Sequence, residues 1–315
     1  MQSIVNSSWS TGPLSYTGFM QKVMLVQILV GIFLYVNCLM IFTFLKKVMF
    51  REDTRYILFA QTLFVDSAFM VFTDMMLIGN YFQYYIHMIP CIFICSAISI
   101  LSICSPLTLV AMCLERYVAI CMPLRHAEIS NSRTRYFGFI IIWGVSTMPP
   151  VFFIIAHISV IPSGALFSPV ICSMEIMLQK EWQAQSRAAI LQLLFIFMSF
   201  IIFFTYIKIM IAARTVSLGK KKSTSKSLRT VVLHAVQLFL CVVQFLIPYI
   251  EMTFWKADVM VFINVRYSNF IVFIIAPRCL SPLIYGVRDE KFSIILRHYA
   301  CWGFDHSKCC PLKRK

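Results

Sequence analysis

The sequence predicts an all-α membrane protein: a bundle of seven transmembrane helices with a short amphipathic helix after the last span. Three observations predict it. The chain is 60% hydrophobic and only 13% charged over 315 residues, against about 25% charged residues in soluble domains, and its mean hydropathy is +0.80. Its apolar residues gather into seven runs, each long enough to cross a bilayer core, which takes about 20 helical residues. The basic residues fall between those runs with a pronounced side preference.

The runs lie at about 23–45, 56–79, 88–115, 136–161, 187–213, 230–254 and 260–287. Backbone polar groups in hydrocarbon must be paired within the structure. These runs lack the strict alternation of barrel strands, so helices follow. The runs and their short connections use up the length as one membrane domain, with 1–22 as an external amino terminus and 288–315 as a cytoplasmic tail. The first span begins near residue 23 and is followed by its positive cluster, so it is expected to serve as its own insertion signal.

Lys46, Lys47, Arg51 and Arg55 follow the first span. Arg116, Arg125, Arg133 and Arg135 surround the third-to-fourth connection. Lys208, Arg214, Lys220, Lys221, Lys222, Lys226 and Arg229 fill the next one on that side. The tail adds Arg288, Lys291, Arg297, Lys308, Lys313, Arg314 and Lys315, which puts most of the 28 basic residues on one side. The positive-inside rule makes that side cytoplasmic and leaves the amino terminus outside. Asn6-Ser7-Ser8, a glycosylation acceptor pattern, agrees with that orientation. The formal charge of +15 is interleaved with apolar spans rather than gathered on a soluble face, so no nucleic-acid partner is expected. Cys38, Cys95, Cys104, Cys113, Cys241 and Cys279 sit within apolar runs as small hydrophobes, and no metal or cofactor is expected.

The stretch Met112-Cys113-Leu114-Glu115-Arg116-Tyr117-Val118-Ala119-Ile120-Cys121-Met122-Pro123-Leu124 ends the third span. It resembles the signature of odorant receptors, within the rhodopsin-like receptors coupled to G proteins. Glu115 stands where Asp is commoner, and Leu114 and the pair Arg125 and His126 depart where tyrosines are usual, as in a divergent, fish-type branch. Ser281-Pro282-Leu283-Ile284-Tyr285 resembles the Asn-Pro-x-x-Tyr signature of the same superfamily, with Ser281 in place of Asn. Lys226, Thr230 and His234 resemble the odorant-receptor pattern at the inner end of the sixth helix. No tryptophan precedes Pro248 where the superfamily usually has one; Val242-Val243-Gln244-Phe245 stands there.

The resemblance implies a receptor that binds a small organic odorant from outside and activates a heterotrimeric G protein, of the stimulatory class, at the plasma membrane. It implies coupling and activation roles for Glu115, Arg116, Tyr117, Tyr206, His234, Pro282 and Tyr285. An adjacent Glu and Arg at a helix end can form a local ion pair whose release opens a partner cleft. The implied ligand pocket lies in the outer halves of the third, fifth, sixth and seventh spans, at Ile98, Ser99, Ser102, Leu191, Phe245, Tyr249 and Ile271. Apolar walls with a few hydroxyls suit a small, partly apolar molecule. Ile98 stands where amine receptors carry an Asp, so an aminergic ligand is not expected.

Cys91 precedes Arg116 by about 37 Å of helix, at the opposite membrane face, and Cys172 follows the fourth span. The resemblance implies a disulfide between them, in keeping with an oxidising exterior. For Cys301, Cys309 and Cys310, on the basic side, palmitoylation and reduced thiols both stay open. Charged groups inside spans need partners. Arg278, one turn before Ser281 and Pro282, is expected to pair with Asp66 where related receptors hold sodium, with Asn37, Ser105 and Ser281 as hydrogen-bonding neighbours. Asp74, two turns nearer the exterior, has no partner legible in the sequence.

Competing classes fare worse. A transporter or channel would show a repeat, interrupted paired helices or several mid-span charges. An intramembrane enzyme would need converging His, Asp or Ser groups at one depth, whereas His126, His234, His298 and His306 fall at or near the cytoplasmic side. A non-olfactory chemoreceptor of the same superfamily is the alternative that sequence leaves open. Membrane lipid is the remaining partner.

Overall fold

The computed structural model describes residues 13–177, 180–215 and 259–282, with single positions at 232, 236, 239, 243, 292 and 294–296. The first five expected spans form α1 (Pro13–Lys46), α3 (Thr54–Tyr81), α4 (Met88–Cys121), α6 (Ser132–Ile158) and α7 (Glu181–Thr215). Within them Met20–Lys46, Thr54–Tyr81, Met88–Cys121, Ser132–Ile158 and Glu181–Ala212 are each long and apolar enough to cross a membrane. The last span comprises α8 (Val259–Asn269), a π-helical stretch (Phe270–Ile275) and α9 (Ala276–Pro282). The expected sixth span lies outside the described residues, apart from helical Val232, Val236, Phe239 and Val243.

Helix boundaries follow local chemistry. The Asp53 side chain accepts from the backbone N–H of Arg55 at 2.9 Å to open α3, and the Asn131 side chain accepts from that of Thr134 at 2.8 Å to open α6. Both relieve donors that a helix start otherwise leaves unpaired. Short helices α2 (Val48–Glu52) and α5 (Pro123–Ile129) turn the chain between spans at the basic end. Pro123 opens α5, where its fixed φ and missing N–H cost nothing.

The π stretch has a cause in the sequence. Pro277 carries no N–H, and in an unbroken α-helix its ring would crowd the carbonyl four residues back. The turn before it widens, so that the Ala276 N–H donates to the Ile271 carbonyl, five residues back.

Burial is arranged for lipid. On α1, Met24, Ile28, Ile32 and Tyr35 are exposed at helical spacing, whereas Val26, Val30, Phe33, Asn37 and Met40 face inward. On α7, Leu193, Phe197, Phe200 and Phe204 are exposed and Met198, Ile202 and Ile209 are buried. Apolar side chains thus cover the outer face as well as the inner one, unlike a water-soluble helix, whose outer face is polar. Helix α4 is central: it packs against α3, α6 and α7, while α3 also packs on α1.

The two ends are closed differently. At one end β1 (Tyr85–His87) pairs antiparallel with β2 (Pro169–Ile171), and a disulfide joins Cys91 to Cys172 across 81 residues of sequence. The Asn80 amide donates to the Cys172 carbonyl at 2.8 Å, holding the same loop to α3. Gln83, with φ at 51°, provides the left-handed turn that brings the chain from α3 into β1. At the basic end the Arg135 guanidinium donates to the Glu52 carbonyl at 3.0 Å, and the Ser130 hydroxyl to that of Thr54 at 2.9 Å. Beyond the last span Phe292, 1% exposed, packs among Phe50, Tyr56 and Phe59. Ile294 is exposed.

Candidate functional site

Three sites occupy successive depths of the bundle. Toward the disulfide end a cavity opens between α4, α6, α7 and the loop after β2. Its polar lining comes from Cys95, Ser96, Ser99, Ser102 and Arg187, and its apolar lining includes Phe153, Met177 and Leu191. Pro149 and Pro150 form part of the α6 wall. The cavity itself holds about 40 Å³, and about 520 Å³ with the open space at its mouth included. The Ser99 hydroxyl donates to the Cys95 carbonyl and that of Ser102 to the Ser99 carbonyl, both at 2.8 Å. Their donors are thereby engaged and their oxygens face the cavity as acceptors. The thiol of Cys95 lies 3.9 Å from both sulfurs of the neighbouring disulfide.

At mid-depth Arg278 and Asp66, each 1% exposed, face one another with Nε 3.8 Å from Oδ1. The Ser105 hydroxyl donates to the same carboxylate oxygen at 2.7 Å. The Arg278 guanidinium also donates to the Ile274 carbonyl at 2.7 Å and lies 3.8 Å above the centre of the Phe69 ring. Two opposite charges, a hydroxyl and an aromatic face are thus brought together in a place where an unpaired charge would be costly. Asn37, expected as a neighbour of this pair, instead donates to the Ser67 hydroxyl at 3.0 Å. One residue further along α3 turns a side chain about 100°. Asp66 therefore faces α4 while Ser67 faces α1. Asp74 acquires a partner from α1, the Gln27 amide, which donates to it at 2.6 Å.

At the basic end Glu115 bridges two cations or potential cations. Its Oε2 is 3.7 Å from Arg116 Nε, and its Oε1 is 3.6 Å from His126 Nε2 on α5. Tyr117 reaches across to α7, its ring centre 6.4 Å from that of Phe204, and the Cys121 thiol approaches the Lys208 carbonyl at 3.7 Å. Tyr206 lies half-buried on α7, and Pro282 is buried at the end of α9.

Of the expected pocket residues, Ser99, Ser102 and Leu191 line the cavity. Ile98 does not: it packs with Val26, Val30, Phe69 and Leu101 in the cluster between α1, α3 and α4, and Ile271 lies against that cluster too. The reason is again angular, since Ser99 and Ser102 share one face of α4 and Ile98 and Leu101 the next. Asn6, His234, Phe245, Tyr249 and Tyr285, and the side chain of Ser281, lie outside the described residues. Sequence reading missed Arg187, Cys95 and Gln27. A charge within an apolar helix is a signal in itself, and Arg187 escaped it because the fifth span was begun at that very residue.

Comparison with known proteins shows the family. Residues 36–285 match the family described as 7 transmembrane receptor (rhodopsin family). Odorant receptor 131-2 of Danio rerio is 55% identical over 303 residues, covering 96% of this chain and 93% of that protein. A fish relative accords with the departures around Glu115 and His126. The chain therefore belongs to the rhodopsin family of seven-transmembrane receptors, on its odorant-receptor branch.

Proposed function

We propose that this receptor sits in the plasma membrane with its disulfide end outside, binds a small organic odorant in the cavity between α4, α6 and α7, and activates a stimulatory heterotrimeric G protein at its basic end. The observation that carries the reading is the restraint on Arg116. Glu115 holds it in place while itself tied to His126 of the neighbouring short helix. A local charge pair of this kind can be traded for a partner's groups when the helices shift. Such a pair converts a change of helix position into a newly presented cation.

The cavity lies on the same helix, α4, with the disulfide-anchored loop beside it. Ligand contacts at Ser99 and Ser102 and the pair at Glu115 and Arg116 are then two ends of one rigid element. A shift of that helix would act on both sites at once. The zebrafish relative's name supports an odorant as ligand, and the preponderance of Lys and Arg around Arg116 supports an inward-facing basic end.

The test is cyclic AMP in cells expressing the chain, screened with small organic and amino-acid odorants beside Arg116→Ala at matched surface level. A response lost in the variant is the expected result. A response that survives in Arg116→Ala would remove Arg116 from the mechanism. An identical screen reading only calcium or inhibition of cyclic AMP would overturn the stimulatory assignment.

A further inference from the structure

Arg187 is a cation that no acid among the described residues pairs with. It stands on α7 one turn after Gln183 and one turn before Leu191, so the three share a face. Gln183 fixes which way that face points: it is fully buried and its amide donates to the Ala156 carbonyl of α6 at 3.1 Å. A long basic side chain near a membrane boundary ordinarily extends its charge toward water. Here Arg187 is turned into the bundle, beside Cys95, and forms part of the cavity lining with Leu191.

Acids among the described residues of the bundle are engaged elsewhere. Asp66 faces Arg278 and Ser105, Asp74 accepts from Gln27, and Glu115 lies against Arg116 and His126. No carboxylate among the described residues lies within ion-pair distance of Arg187.

We propose that the cavity is built for a small organic anion, a carboxylate with an apolar body, whose charged group docks on Arg187. The inference rests on the receptor reading above and names its ligand class. A guanidinium presents a planar fork of donors that matches a carboxylate with two parallel hydrogen bonds, and charge-assisted bonds of this kind are roughly twice as strong as neutral ones. The rest of the wall fits the rest of such a molecule. Phe153, Pro149, Met177 and Leu191 offer apolar surface, while the Ser99 and Ser102 oxygens can accept from a hydroxyl further along the ligand. The same chemistry disfavours amines, which would meet the like charge of Arg187 inside a confined site.

The probes are hexanoate, octanoate and phenylacetate, each paired with its primary amide and its amine. Two readouts are taken on the full chain: the thermal midpoint of the detergent-purified protein, and cyclic AMP in intact cells. At least one acid should raise the midpoint and act at concentrations at least tenfold below its amide. Arg187→Gln should weaken that acid at least tenfold, and Arg187→Lys should fall between. If Arg187→Gln does not reach the surface, Arg187→Lys and a cavity-filling Ser102→Leu carry the comparison.

The proposal is overturned if no acid moves the midpoint, if amides or amines match the acids, or if the Arg187 variants respond as the unaltered chain does. An acid that moves the midpoint without cyclic AMP would uphold the anion site and break the stimulatory reading. Cyclic AMP raised by neutral odorants, with acids inert in both readouts, would do the reverse.

Discussion

Removing either member of the Asp66 and Arg278 pair should damage the receptor more than removing both. Each group is 1% exposed and the closest approach is 3.8 Å, so the partner left behind stays buried and charged. Breaking such a pair from one side costs about 3–5 kcal/mol, whereas replacing both charges with neutral groups is often close to neutral. Arg278→Met also loses the contact over the Phe69 ring, 3.8 Å from its centre, which is worth about 2 kcal/mol when desolvated. The single substitutions Asp66→Asn and Arg278→Met should therefore each cost about 3–5 kcal/mol. Their combination should cost about 2 kcal/mol, chiefly the ring contact. Detergent-solubilised receptor, heated at one scan rate with a thiol-reactive dye, reads this directly, because Cys95, Cys104 and Cys113 are buried free thiols. The midpoints should rank the unaltered chain first, the double variant second and both singles last. A double variant that unfolds below either single would mean that the two charges do not interact, and the pairing argument would fail. Arg278→Ala leaves the Asp66 carboxylate beside Ser105, so sodium, but not choline at equal ionic strength, should recover part of the lost midpoint. No sodium effect on that variant would separate this site from a cation pocket.

Two further outcomes are expected. The disulfide closes a long loop, its cysteines lying 81 positions apart in sequence, and a loop of that size contributes about 4–5 kcal/mol on chain-entropy grounds. Cys172→Ser should accordingly abolish surface expression, but Cys91→Ser should retain some, because the Cys95 thiol lies 3.9 Å from the Cys172 sulfur and can capture it. Peptide mapping without reduction should then find Cys95 joined to Cys172, and equal loss in both variants would refute the substitution. Phe292→Ala should cost about 3–4 kcal/mol of contact with Phe50, Tyr56 and Phe59. Hydrogen exchange around residues 292–296 should rise at least a hundredfold, and unchanged protection would show that other contacts hold that segment.

Much of the fold was legible because lipid imposes a simple rule: long apolar runs must be helices. That rule locates the spans but says little about their ends. The third was expected to stop at Glu115 and continues to Cys121, since a charge at the boundary does not interrupt helical hydrogen bonding. The fifth begins at Glu181, because Gln183 finds the Ala156 carbonyl across the bundle, a partner distant in sequence. That displacement of the start removed Arg187 from the set of in-span charges. Facing was harder still. Asn37 and Ile98 lie at the depths expected of them but are turned by one residue from the expected partners, and a single position on a helix is about 100°. The pairing of β1 with β2 joins three-residue strands too short for an alternating pattern to be visible. By contrast, the depth match of Asp66 with Arg278 could be read directly, because charges in hydrocarbon have few places to go.

The widened turn at Phe270–Ile275 adds one residue to the last span without adding a full α-helical step. Everything beyond it, Arg278 included, is consequently rotated by about 100° relative to an unbroken helix running from Val259. Shortening that stretch by one residue would leave the composition of the span nearly unchanged. It would also swing the guanidinium around the helix axis and away from Asp66. The buried charge pair thus depends on a count of residues as well as on their identities, and Pro277, which carries no charge and touches neither partner's chemistry, keeps that count in phase.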